Sequence, residues 1–235
     1  MFTKEYNLRY SDLDNHIHVK ISSILDILQD ISIEHSASRG LTLKNLYSRS
    51  IAWLVQGWRI RFLEPVAGDR PITAKTGIMR IRQFEAQRKY EIWQDGALKV
   101  IATASWFTVN TSRMKVIIVP QEISDAYDEL NEADNGLEFI KLRPEKDMPP
   151  AVSQTKVERR DIDTNNHMNN VKSVEVALEL IPEDFAIGEL MITYRKALLP
   201  SETVLMCAKQ TENGYHTELK NGDGDTCVLL RAEKL

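Results

Sequence analysis

A short pattern occurs twice in the chain, each time directly before a helical stretch that is followed by strands. Ser11-Asp12-Leu13-Asp14 with His18 is matched by Arg160-Asp161-Ile162-Asp163 with His167, at an offset of 149 residues. The first copy leads into Ser22 to Ser38, where Ile24, Leu25, Ile27, Leu28 and Ile31 form a helical stripe that stops at Gly40. The second leads into a stretch from Asn169 to Leu180. There Val171, Val174, Leu178 and Ile181 recur at helical spacing, and Pro182 ends the run. Gly68-Asp69 and Ser201-Glu202 hold similar places before the strands of each half, 133 residues apart. The motif alone is short, but the order of elements repeats with it, and a duplicated α+β unit accounts for both.

Strand signals fill the space after each helix. Ile72 to Met79, Phe84 to Trp93 and Leu98 to Val109 are rich in β-branched and aromatic residues, and Asp95-Gly96 marks a hairpin between the last two. Leu190 to Tyr194, Thr203 to Lys209, Tyr215 to Leu219 and Thr226 to Ala232 form the second cluster, with turns expected at Asn213-Gly214 and Asn221-Gly222. Between the clusters the chain is acidic at Glu122, Asp125, Asp128 and Glu129, then proline-rich at Pro144, Pro149 and Pro150. The predicted organisation is a first domain over 1–120, a linker over 121–150 carrying a short helix, and a second domain over 151–235.

Composition removes several classes of function. With 43% apolar and 27% charged residues in 235, the chain has the makings of a packed core. A net charge of -4 gives no reason to expect nucleic acid or an anionic membrane surface as partner. No apolar run reaches a membrane span, and the polar start lacks the apolar core of a secretion signal, so the cytoplasm is the expected location. Cys207 and Cys227 stand in apolar, strand-like surroundings and are expected as reduced, buried thiols.

Asp163, Asn165 and His167 alternate, so in an extended segment their side chains would share one side and converge on a cleft at the start of the second helix. The plain alternative is that Asp161, Asp163 and Asn165 build turns and caps, as these residues commonly do. In the first copy, Asp12, Asp14, His16 and His18 have metal-ligand character, but a turn inherited through duplication accounts for the same pattern. His35 reads as a buried, hydrogen-bonded helix residue. Arg59, Arg61, Arg80, Arg82, Arg88 and Lys89 make the first half locally basic, either as a solvated strand face or as a docking surface for an acidic partner.

The chain resembles the acyl-acyl carrier protein thioesterases of bacteria and plant plastids. In the first half the resemblance rests on Gln29 to Gly40, on Ala52-Trp53-Leu54-Val55 through Trp58 to Pro65 and Gly68-Asp69, and on Ala104-Ser105-Trp106 and Asn110 to Arg113 before Pro120. In the second it rests on Asp161 to Asn170 and on Tyr194-Arg195-Lys196. It implies two tandem hotdog domains, each an antiparallel sheet wrapped around a long helix, associated as an internal pseudo-dimer. It also implies an acyl-chain pocket in the first domain, where some of Trp53, Trp58, Trp93 and Trp106 would line it, and catalytic residues in the second.

The resemblance assigns Asp163, Asn165 and His167 to catalysis. Thioester hydrolysis needs an activated water and donors for the developing oxyanion. His167 is the natural general base, Asp163 would orient it or share the water, and Asn165 would position water or substrate. Free N–H groups at the start of the following helix would serve the thioester oxygen. No cofactor or metal is implied. Acyl carrier protein, carrying the acyl chain on its phosphopantetheine arm, is the expected partner, and the protein is expected as a monomer or homodimer. One departure stands out: the family commonly has glutamate just after the Tyr-Arg-Lys-like stretch, where this chain has Ala197 and then Leu198. Glu175, two turns beyond His167 on the helix, is a possible substitute, with an exposed helix charge as the plainer reading. An acyl-CoA thioesterase on the same fold and a non-catalytic acyl- or acyl-carrier-binding module remain as alternatives.

Overall fold

A computed structural model describes residues 1–127 and 135–234. The chain divides into two compact units, Met1–Phe139 and Ile140–Leu235. The division falls inside the 121–150 stretch, so that 121–139 goes with the first unit and 140–150 with the second. A short helix occupies Gln121–Asp125, while Asp128 and Glu129 of the acidic run lie outside the described residues.

The first unit contains, in chain order, β1 (Phe2–Tyr6), α1 (Ile21–Ser38), α2 (Leu43–Ser48), β2 (Ile51–Phe62), β3 (Ile72–Arg82), β4 (Glu85–Gln94), β5 (Ala97–Asn110), β6 (Lys115–Val116) and α3 (Gln121–Asp125). Its strands run antiparallel in the order β1-β3-β4-β5-β2, and β6 adds to β5. The β4–β5 hairpin closes through Asp95 and Gly96, both left-handed at φ 51° and 77°. Two successive residues of this hand match the twist of the flanking strands, which is why Asp-Gly is found there. Helix α1 lies against β3 and buries Leu25, Leu28 and Ile31 completely. Each such side chain contributes about 1.5–3 kcal/mol of apolar burial. On the inward face of β4, Ala86, Arg88, Tyr90 and Ile92 are all buried, with Tyr90 Oη 2.8 Å from Ser32 Oγ of α1.

The second unit contains β7 (Ser153–Lys156), α4 (Asn170–Leu178), β8 (Glu189–Tyr194), β9 (Thr203–Gln210), β10 (Gly214–Lys220) and β11 (Thr226–Glu233). Its antiparallel order is β8-β11-β10-β9-β7, with α4 laid on β10 and β11 through Val171, Val174 and Ala177. Gly214, expected in a turn, instead opens β10 opposite Glu233. A Cβ there would sit 1.9 Å from the Ala232 carbonyl oxygen, so the glycine serves close backbone approach.

The repeated motif folds the same way in both units. Asp14 donates its N–H to the His18 carbonyl at 2.8 Å, and its Oδ1 accepts from the N–H groups of His16 and His18, both at 2.8 Å. Asp163 donates likewise to His167 O at 2.8 Å, and its Oδ1 accepts from Asn165 N at 2.8 Å and His167 N at 3.2 Å. Single bridges, Leu13 with Val19 and Ile162 with Met168, close each turn. The carbonyls of Asp12 and Asp161 then receive the N–H groups of Lys20 and Asn169 at the mouths of α1 and α4. Ile17 and Asn166, corresponding residues, both stand at φ 61°.

Asparagine tolerates this left-handed geometry, whereas a β-branched residue does so at a cost. Ile17 is 62% exposed and buries little in return. Ile17→Asn is therefore expected to stabilise the protein by about 1 kcal/mol, read as a higher urea midpoint with an unchanged slope.

Candidate functional site

The segment holding Asp163, Asn165 and His167 is a closed turn, not the extended run expected from its alternation. The Asp163–His167 backbone bond folds the chain back, and left-handed Asn166 makes the reversal. Asp163 and Asn165 are brought together: Asn165 Nδ2 donates to Asp163 Oδ2 at 3.3 Å. Asp163 reaches His167 through its backbone N–H rather than its ring. Among the described residues no hydrogen bond joins the Asp163 carboxylate to the imidazole, and the half-buried ring has no hydrogen-bond partner. Asp163 thus holds the frame, while the His167 imidazole and the exposed Asn165 amide are presented by it. Asp161 has the turn role: its Oδ2 accepts from Glu158 N at 2.8 Å.

The start of α4 is less open to a ligand than expected. Asn169 caps it, its Oδ1 accepting from Val171 N at 2.7 Å and Lys172 N at 3.3 Å. Asn169 N itself donates to Asp161 O. That leaves Asn170 as the first-turn amide without an acceptor among the described residues. Asn170 O accepts from Tyr194 Oη at 3.4 Å, and burial pushes that phenol far above its usual range, so it stays protonated.

The stretch after Tyr194 runs beside the turn, because Met168 N donates to Leu198 O at 2.9 Å. Ala197 accordingly stands next to the candidate site and brings no carboxylate to it. Lys196 pairs with Asp225 at 2.6 Å, which raises the lysine and lowers the aspartate from their ordinary pKa values. Glu175 pairs with Lys172 at 2.7 Å on a partly exposed face of α4, in keeping with the plainer reading of a helix surface charge. Among the described residues no group of three or more His, Cys, Asp or Glu gathers as metal ligands, the His16 and His18 region included.

Two sequence readings of the basic residues change. Arg88 and Lys89 are both 4% exposed, so neither belongs to a solvated face or docking surface, although Arg82 stays exposed. His35 is buried as expected, with Arg88 Nη1 3.0 Å from its Nδ1 and Phe2 stacked on its ring. Cys207 and Cys227 are free and buried. Burial pushes the Cys227 thiol up to about 11 and raises Cys207 as well, which disfavours the thiolate a nucleophile requires.

Family comparison covers both units. The model described as the acyl-ACP thioesterase N-terminal domain matches residues 1–127, and that of the acyl-ACP thioesterase C-terminal domain matches 145–230. Among curated relatives, oleoyl-acyl carrier protein thioesterase 2 of Arabidopsis thaliana chloroplasts is 22% identical over 90% of this chain. The corresponding thioesterase 1 is 20% identical over 97%. The chain spans 64% of the length of the first and 70% of the second. A solved acyl-ACP thioesterase from Bacteroides thetaiotaomicron superposes with a TM-score of 0.84 at 17% identity, covering 99% of this chain and 96% of its own. A 12:0-ACP thioesterase from Umbellularia californica gives 0.82 at 16%, with the same coverage. These structures share the tandem hotdog fold with the present one.

Two outcomes follow from the site geometry. Asp163→Ala strips the acceptor from two backbone N–H groups and is expected to cost about 2 kcal/mol in urea denaturation, most of it recovered in Asp163→Asn. Alkylation of Cys227 by iodoacetamide at pH 8 is expected to be at least about 100-fold slower in the native protein than in urea, as followed by mass spectrometry.

Proposed function

Since the chain belongs to the acyl-ACP thioesterase family, we propose that it hydrolyses the thioester of a fatty acyl-acyl carrier protein and releases the free fatty acid. The observation that carries the reading is the turn before α4. It is held mainly by the Asp163 carboxylate and the main chain, and among the described residues the His167 imidazole has no hydrogen-bond partner.

In this reaction the His167 imidazole takes a proton from water as the water oxygen attacks the thioester carbonyl. The C–S bond then breaks, and the imidazolium returns the proton to the leaving thiolate. Asn165 positions the water or the thioester oxygen through its amide. The Asn170 N–H, at the positive end of the α4 dipole, is the donor for the oxyanion. Asp163 is a positioning residue whose negative charge also favours the imidazolium. The first unit takes the acyl chain and the second supplies the reacting groups. We assign the carrier as acyl carrier protein rather than coenzyme A, and fatty acid biosynthesis in the cytoplasm as the setting. Among the described residues no helix is long and apolar enough to cross a membrane.

Ala197 favours one second reading. With no carboxylate beside the turn at that position, the protein would bind acyl chains or acyl carriers without turning them over. Thiol release from a panel of acyl carrier protein and coenzyme A thioesters separates the two. Turnover that falls about 10²- to 10⁴-fold in His167→Ala is the expected result. Turnover untouched by that change defeats the site assignment, and tight binding without release establishes the second reading.

A further inference from the structure

The first unit has a partly open cavity of about 40 Å³ walled mainly by Leu41, Leu46, Ile78, Trp53 and Trp106. About 10–15 Å³ on this measure holds one water, so the space has room for a small group such as the end of a chain. Arg88, projecting from the inward face of β4, reaches the same cavity. A guanidinium stays charged under all conditions in which a protein folds, and a buried one normally faces a carboxylate. Arg88 is 4% exposed, yet its partners are the His35 Nδ1 at 3.0 Å and the face of Tyr127 at 5.2 Å. No carboxylate pairs with it among the described residues.

The cavity lining also includes Trp53. Its indole Nε1 is buried and has no hydrogen-bond partner among the described residues. The hydroxyls of Ser32 and Ser36 bond elsewhere, each shared between a helix carbonyl and a tyrosine, Tyr90 or Tyr127. A methyl-ended chain would leave both donors as they are, whereas a chain oxygen can accept from the guanidinium or the indole N–H.

We propose that this cavity receives the far end of an acyl chain bearing an oxygen, as hydroxyl, oxo or carboxylate, in preference to one ending in methyl. The inference rests on the thioesterase reading for its substrate class. Its chemistry comes from Arg88 and Trp53, which lie apart from the candidate reacting groups in sequence and in unit.

The test uses amide analogues of acyl-pantetheine, which are not hydrolysed, with chains of equal length ending in methyl, hydroxyl or carboxylate. Binding to the full chain is measured by calorimetry. The expected result is at least about tenfold tighter binding of an oxygen-ended chain than of the methyl-ended one, from the strength of charge-assisted hydrogen bonds. Arg88→Met is expected to abolish or reverse that order. Trp53→Phe, which removes the N–H and keeps most of the ring volume, is expected to narrow it even if the Arg88 variant does not fold. Tighter binding of the methyl-ended chain by the unaltered protein overturns the proposal, as does a preference that survives in every folded variant. Hydrolysis of the matching thioesters is followed in parallel. A binding preference without turnover counts against the thioesterase reading alone, and turnover without the preference counts against this inference alone.

Discussion

Inside each unit an aspartate carboxylate accepts backbone N–H groups that the turn around it cannot satisfy by itself. Hydrogen bonds to a charged acceptor contribute about 1.5–3 kcal/mol, and an N–H group left without one costs a comparable amount. Asp14 and Asp163 each hold two such groups, and the return bond from their own N–H closes the turn. The chain leaves in a fixed direction, so α1 and α4 start where their apolar stripes meet the sheets. Burial of Leu25, Leu28 and Ile31, and of Val171 and Val174, follows from that aim.

The parts of the fold legible in the sequence are those where one physical signal acts alone. Asp95-Gly96 demanded two left-handed residues and took them, and the α1 stripe had a clear apolar period. Other elements lacked such a signal. In strand β2 a bulge between Val55 and Gly57 shifts the register, so Ile51, Val55, Trp58 and Ile60 share one buried face without regular alternation in the sequence. Strand β7 is exposed along its whole length and exists through its pairing with β9. Helix α2 is a six-residue turn started by the Thr42 cap.

The candidate site was legible in its residues and not in its geometry. Proximity of Asp163 and Asn165 followed from spacing, but the left-handed Asn166 that folds the segment back gave no apolar or polar pattern to read. The cap supplied by Asn169 was hidden for the same reason, since a single asparagine serves equally in a turn. Arg88 shows the opposite failure. Alternating charge on a strand ordinarily faces water, and only the tertiary placement of β4 against α1 turns this arginine inward. The two copies of the motif also diverged in an ordered way. His16 and His18 occupy the places of Asn165 and His167, while the aspartate and the left-handed position kept their roles.

Because carboxylate and main chain do nearly all the holding, the side chains projecting from the second and fourth places after Asp163 bear little mechanical duty. Reactivity and architecture are therefore mutationally decoupled at this turn. A lineage can exchange the amide or the imidazole for another functional group while the helix behind it stays in register. The same loop is in that sense a socket: the first copy shows it fitted with a pair of imidazoles, the second with an amide and an imidazole, on one unchanged frame.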